Sequence, residues 1–197
     1  TELTALHLRA CGIEHQGFTA LAHAPLFTHL HTLQVSNNRI HDHGVQALNQ
    51  VFQPSALTHL DLSVNHLTSQ GAGTVASCPH LNALTHLHLN QNRIGAAGAH
   101  ALADAPHLAG LNLLHLSYNN IGPEGALALA RSPHLTGLTH LFLDQNNIGD
   151  QGALALLNAP ALTSLQVLSM RHNQLSPDTI QTLKNAPALQ HLQRLHL

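Results

Sequence analysis

Residues 84–94 read Leu84-Thr85-His86-Leu87-His88-Leu89-Asn90-Gln91-Asn92-Arg93-Ile94. Leu87 and Leu89 stand two apart, the spacing that puts side chains on one face of an extended strand, so His86 and His88 point to the other face. The leucine that opens the stretch recurs as Leu3, Leu30, Leu57, Leu84, Leu111, Leu138, Leu165 and Leu192, each 27 residues from the last. No insertion or deletion breaks this register through seven full units and the start of an eighth. Self-similarity at such a period marks a stacked repeat architecture.

The remainder of each unit is as regular. After Ile94 comes Gly98-Ala99-His100-Ala101-Leu102-Ala103, small residues around one leucine, as expected of a helix packed closely on a sheet. Units close on proline, as at Pro79, Pro106, Pro133, Pro160 and Pro187, which ends the helix and starts a return loop. One such unit cannot bury its own apolar face, and stacking against neighbours buries it. The strands then form a parallel sheet spaced about 4.8 Å apart, and because helices are wider than strands the stack is expected to curve with the sheet inside. The fold class expected is α/β: one domain over residues 1–197, a right-handed arc with a concave parallel sheet and convex helices.

Composition narrows the function classes. Of 197 residues, 44% are hydrophobic, 8% are charged and the formal net charge is −2. There is no basic field to hold nucleic acid and no apolar run of the roughly 20 residues a membrane span needs. Cys11 and Cys78 occupy different positions in different units, which reads as two reduced thiols in a reducing, cytoplasmic setting.

The unit pattern Leu-x-x-Leu-x-Leu-x-x-Asn-x-Ile/Leu resembles the ribonuclease-inhibitor-like class of leucine-rich-repeat proteins, and the resemblance covers the whole chain. It implies the α/β horseshoe and a partner protein held on the concave face; it implies no cofactor. Ribonuclease inhibitor itself is cysteine-rich with longer paired repeats, so this chain departs from it. The short uniform repeats also resemble effectors that intracellular bacterial pathogens deliver into host cells, which implies the host-cell cytosol as the place of action and capture or inhibition of another protein as the task. A GTPase-activating protein on a related repeat fold is the alternative, but that form carries an acidic tail and longer repeats, which are missing here.

Several recurrent residues read as structure. Asn38, Asn65, Asn92, Asn119, Asn146 and Asn173 share the ninth position, with Cys11 in the first unit. A buried amide needs partners, and the backbone of neighbouring turns supplies them. Gly17, Gly44, Gly71, Gly98, Gly125 and Gly152 share another position. Gly71-Ala72-Gly73-Thr74-Val75-Ala76 matches a dinucleotide fingerprint in form, but the same glycine recurs where no fingerprint exists.

Outward positions are read as the third, fifth, seventh and eighth of each unit, and these vary while the leucines do not. Units five to seven bring together Leu113, His115, Tyr118, His140, Phe142, Asp144, Val167, Arg171 and His172, with Tyr118 and Phe142 expected side by side. Aromatic, Arg and apolar groups clustered in this way resemble a binding hot spot. A secondary patch comprises His59, Asp61, His86 and His88. Eight of the 20 histidines fall in the outward columns, where four positions in 27 would receive about three by chance. Neighbouring imidazoles on adjacent strands could attract an adventitious zinc or copper ion, though no carboxylate or thiolate fixes a geometry and no resident metal is expected. A histidine-based pH or metal sensor is therefore a further alternative. Acidification below pH 6 is expected to charge the face and weaken partner binding. His80, His107 and His134, after the prolines, read as solvated loop residues.

No catalytic constellation emerges. Ser36, Ser63 and Ser117 read as one exposed column without a strained elbow; His115 near Ser117 lacks an orienting acid. Asp61 and Asp144 are three units apart, too far for paired acid–base work. Neither end shows a polar cap, so an open edge strand at 191–197 is expected.

Overall fold

The structure, a computed structural model, describes residues 3–50 and 55–197; residues 1, 2 and 51–54 of the expected domain lie outside the described residues. Eight three-residue strands, β1 (Ala5–His7), β2 (Thr32–Gln34), β3 (His59–Asp61), β4 (His86–His88), β5 (Leu113–His115), β6 (His140–Phe142), β7 (Val167–Ser169) and β8 (Arg194–His196), form one parallel sheet in sequence order. The register is the repeat itself: each strand residue pairs with the one 27 positions on, as His86 with Leu113 and His88 with His115. The sheet is open, with β1 and β8 as its edges.

The fourth-position leucines are the inward knobs. Leu33, Leu60, Leu87, Leu114 and Leu141 have no exposed surface, whereas Leu6 and Leu195, in the edge strands, are only half-buried because each lacks a neighbour on one side. Between the strands run α1 (Glu14–Ala22), α2 (His41–Val45), α3 (Ser69–Ala76), α4 (Gly95–Ala103), α5 (Gly122–Ala130), α6 (Gly149–Leu157) and α7 (Pro177–Asn185). Five-residue α2 is the shortest, and it runs directly on into a 3-10 segment over Gln46–Gln50. Proline sits in the first turn of a 3-10 segment in five returns, beginning at Pro25, Pro79, Pro106, Pro160 and Pro187. It therefore starts a new turn as well as stopping a helix.

The recurrent glycine is a packing requirement. A Cβ on Gly98 would stand 3.0 Å from the Ala72 methyl and 3.2 Å from the Ser69 Cα of the preceding helix. Gly125 meets Ala96 and Ala99 in the same way.

The ninth-position asparagines form a continuous ladder. The Nδ2 of Asn146 donates to the carbonyl of Leu116 in the unit before at 2.9 Å, and its Oδ1 accepts from the backbone N–H groups of Asn119 at 2.9 Å and Ile121 at 3.3 Å. Asn38, Asn65, Asn92, Asn119 and Asn173 repeat the donation to the preceding unit. Cys11 takes the place in the first unit, where no earlier described turn needs bridging, and its own N–H donates to Asn38 Oδ1 at 2.9 Å. Neither cysteine is in a disulfide: Cys11 is exposed and Cys78 buried.

The eighth position departs from the expectation of an outward strand residue. Ala10, Asn37, Val64, Gln91, Tyr118, Gln145 and His172 all adopt left-handed backbone, with φ between 52° and 61°. The strand has ended, and the chain turns here to reach the asparagine ladder. Val64 is the costly member, because a β-branched side chain in this region is strained by about 1–2 kcal/mol. We expect Val64→Asn, the residue type already used at Asn37, to raise the melting temperature by about 2–4 °C in a calorimetric scan; an unchanged or lower value would refute the strain.

Candidate interaction surface

Third- and fifth-position side chains stand out from the sheet in two columns. The fifth column carries Asp61, His88, His115 and Phe142 on successive strands, and the third carries His59, His86, Leu113 and His140. The rings pack along the columns and between them. His59 and His86 stack with centroids 4.1 Å apart and planes 13° apart. His115 meets His88 edge-on at 5.7 Å and Phe142 at 5.0 Å, and Phe142 reaches His140 at 6.4 Å.

Threonine fixes the orientation of three imidazoles. Thr58, Thr85 and Thr139 each donate their single hydroxyl proton to a backbone carbonyl of the unit before. The same oxygens lie 2.8–2.9 Å from Nδ1 of His59, His86 and His140. Each hydroxyl thus holds one edge of its imidazole ring in place.

The seventh-position serines are tucked in rather than presented on this face. Ser36, Ser63 and Ser117, expected to be exposed, are buried at 7%, 6% and 2% exposure. The backbone has bent toward the turn, and the hydroxyls serve neighbours: Ser63 donates to Asp61 Oδ1, and Ser117 Oγ accepts the Asp144 N–H at 3.2 Å. Asp144 accepts from the Ser169 hydroxyl and from the Arg171 N–H. Arg171 itself is exposed, its guanidinium donating to His196 Nδ1 at 3.0 Å.

Two further expectations need correction. Val167 is buried, at 7% exposure, because this short side chain lies between the longer His140 and Arg194 on the flanking strands. Tyr118 and Phe142 are not side by side. Phe142 belongs to the sheet face, whereas the left-handed turn sends Tyr118 to the rim, where it accepts from Gln145 Nε2 and lines a groove of about 440 Å³ with Arg93, Asn120 and Asn147. His172 is exposed in the equivalent turn. Of the expected primary patch, Leu113, His115, His140, Phe142 and Asp144 come together; of the secondary one, His59, His86 and His88 do, with Asp61 beside His88.

A rim groove of about 670 Å³, lined by His41, Asp42, His43, His66, Thr68 and Arg93 among others, was not foreseen. His41 and His66 stack there at 5.2 Å. The 27-residue step from His66 to Arg93, beyond the columns counted as outward, was the available signal. His107 also differs from the expected solvated loop residue: it is half-buried and its Nε2–H donates to Val75 O at 3.2 Å.

Burial sets the electrostatics of the sheet face. Desolvation pushes the His115 pKa down from 6.5 to about 4, helped by His88 and opposed by Asp144 and Asp61. Desolvation also lowers His88, against the pull of Asp61, and His86, with added repulsion from His59 and His88. His115 therefore stays uncharged on mild acidification, a departure from the expectation that the outward histidines charge together below pH 6. Nor do the histidines converge: among the described residues no group of three His, Cys, Asp or Glu side chains could hold a metal ion. Stability does respond to pH. The unfolded chain protonates His115 near pH 6.5 and the folded chain only near 4, so unfolding takes up a proton between these values and stability falls as pH falls through that window. The expected contribution, reduced for partial exposure, is about 2 kcal/mol. Denaturant midpoints between pH 6.5 and 4.5 should decline less steeply for His115→Gln than for wild type, and parallel slopes would refute the assignment.

Comparison with known proteins bears on the fold. The family described as Leucine Rich repeat matches residues 28–48, 54–76, 80–103, 111–130 and 134–157, more than half of the chain, and a second family of the same description matches 164–186. No curated protein matches. Among solved structures, the chain is similar to one titled as the crystal structure of the Rad7 and Elc1 complex in yeast, with 18% identity and a TM-score of 0.66 over 93% of this chain and 44% of that one. A structure titled as a TDR receptor matches at 17% identity and a TM-score of 0.35, over 100% of this chain and 43% of that one. The chain thus spans less than half the length of either. Among the described residues no helix is long and apolar enough to cross a membrane.

Proposed function

This chain belongs to the leucine-rich-repeat family, and we propose that it binds another protein through its sheet face. Leucine-rich-repeat proteins commonly act as protein-interaction scaffolds. The observation that carries the reading is the half-buried Phe142, packed on His115 and His140 in a face whose inward leucines are constant and whose outward residues change from unit to unit. A packing residue is set by the hole it fills, whereas an outward residue is free to suit a partner. Aromatic side chains seated among less exposed neighbours are the usual anchors of such interfaces. The reading is non-catalytic: Ser117, the one candidate nucleophile near His115, is buried and engaged with the Asp144 backbone.

The finer reading, an effector that an intracellular bacterium delivers into the host-cell cytosol to capture or inhibit a protein there, takes its support from the uniform 27-residue period. Capture from host-cell and bacterial lysates tests both levels. A protein retained by the wild-type chain and by the helix-face variant Gln151→Ala, and lost by folded Phe142→Ala, is the expected result. Equal retention by all three would move the site off the sheet face. A partner found in bacterial lysate alone would remove the host-directed reading.

A further inference from the structure

The charges of the sheet face are distributed unevenly. Along its two columns the third- and fifth-position side chains of β2 to β6 include one formal charge, Asp61, and Asp144 stands just beyond the end of β6. Each carboxylate is held by a Ser hydroxyl and a backbone N–H on one oxygen, Oδ1: Ser63 supplies both for Asp61, and Ser169 and Arg171 supply them for Asp144. The other oxygen, Oδ2, makes no hydrogen bond to a described residue in either case. Among the described residues no cation pairs with them, and the one ion pair is His100–Asp104, between α4 and the residue that caps its C-terminus. Arg9 lies at the first-unit end of the groove of about 420 Å³ that Asp61 shares with His88 and His115, and Arg171 is turned to His196.

The groups between the two carboxylates are mainly aromatic rings. His59, His86 and His140 hold Nδ1 against threonine hydroxyls at 2.8–2.9 Å and turn the rest of the ring outward with the columns. Phe142 and His115 offer ring surface, and β5, which carries His115, lies between β3 with Asp61 and β6, beyond which Asp144 stands. Lysine and arginine side chains are donors only, and they bind well over aromatic faces.

We propose that the segment seated on this face is an extended stretch of the partner protein carrying two lysine or arginine side chains, one for Asp61 and one for Asp144. The inference rests on the reading of the sheet face as the partner surface. The two carboxylates are three strands and two residue positions apart, about 15 Å at about 4.8 Å per strand and 3.3 Å per residue. Residues four apart in an extended chain project from the same side about 13 Å apart, and the flexible lysine or arginine side chains span the remaining few ångströms. The matching pattern is therefore a basic residue, three small or polar residues and a second basic residue, lying across the strands.

The test is a chemical-shift titration of the isotope-labelled chain with the peptide acetyl-Lys-Ser-Thr-Ser-Lys-amide, beside its Glu-for-Lys analogue. The lysine peptide is expected to shift the amide signals of residues 61, 88, 115, 142 and 144, and Asp61→Asn/Asp144→Asn should weaken it about tenfold. Asparagine keeps the oxygen that accepts from serine, so the double variant should melt with the wild type, and only the charge is removed. Equal binding by the double variant overturns the proposal. So does a glutamate peptide that shifts the same signals, although that result would leave the face as the partner surface. If both peptides leave the face unmoved while partner capture still depends on Phe142, the cationic occupant falls alone; if capture is also indifferent to Phe142, both readings fall.

Discussion

Asn146→Ala should lower the stability of the folded chain by about 3 kcal/mol, with a fall in melting temperature of about 6–12 °C. The residue has no exposed surface. Its Nδ2 donates to the carbonyls of Leu116 and Asp144, and its Oδ1 accepts two backbone N–H groups. Alanine removes all four bonds; Leu116 O keeps the Asn119 Nδ2 and Asp144 O keeps the Tyr118 N–H, but the buried N–H groups of Asn119 and Ile121 in unit five are left without a partner, at a cost of about 1–3 kcal/mol for each that water cannot reach. Aspartate would not replace it, since it has no N–H to donate; leucine would fill the space and still orphan the backbone. Asn147→Ala, one residue on, is the control. Its exposed amide donates to Asn120 Oδ1 and accepts from Gln174, bonds that water can replace, so the loss expected is only the roughly 1 kcal/mol that alanine costs in left-handed backbone at φ 55°. Urea unfolding of the three proteins decides the matter: a loss for Asn146→Ala no greater than that for Asn147→Ala would mean that the ladder does not hold the turns together.

The second large effect is on binding. With a captured partner in hand, Phe142→Ala should weaken its affinity by about 2 kcal/mol, some 30-fold. Phe142 occupies the middle of the sheet face, half-buried against His115 and His140, where truncation removes contact area and opens a wet gap at the centre of the interface. Tyr118 has the larger exposed surface, 47%, yet Tyr118→Ala should change affinity by less than about threefold, because it stands at the rim. Isothermal titration with both variants separates these positions. A greater loss at Tyr118 than at Phe142 would place the partner on the rim grooves instead of the sheet.

These outcomes divide along the line between what 27-residue spacing can reveal and what it cannot. Leucines at the first, fourth and sixth positions, with asparagine at the ninth, dictate the stacked parallel sheet, because a period without insertions leaves each unit one way to bury its apolar face. His59, His86, His115, His140 and Phe142 were legible as neighbours, since parallel strands in register place residues 27 apart side by side. The pattern does not reveal the backbone after the strand. Position eight is left-handed in every complete unit, and that sign of φ swings Tyr118 and His172 to the rim while position seven tucks Ser36, Ser63 and Ser117 inside. Nor does it reveal Val167, buried by the length of its neighbours on flanking strands, or the neutrality of His115, which depends on how many groups crowd the ring. Spacing along the chain specifies which residues become neighbours. Exposure and charge depend on the sizes, turns and dielectric surroundings of those neighbours, and these exist only once the units are stacked.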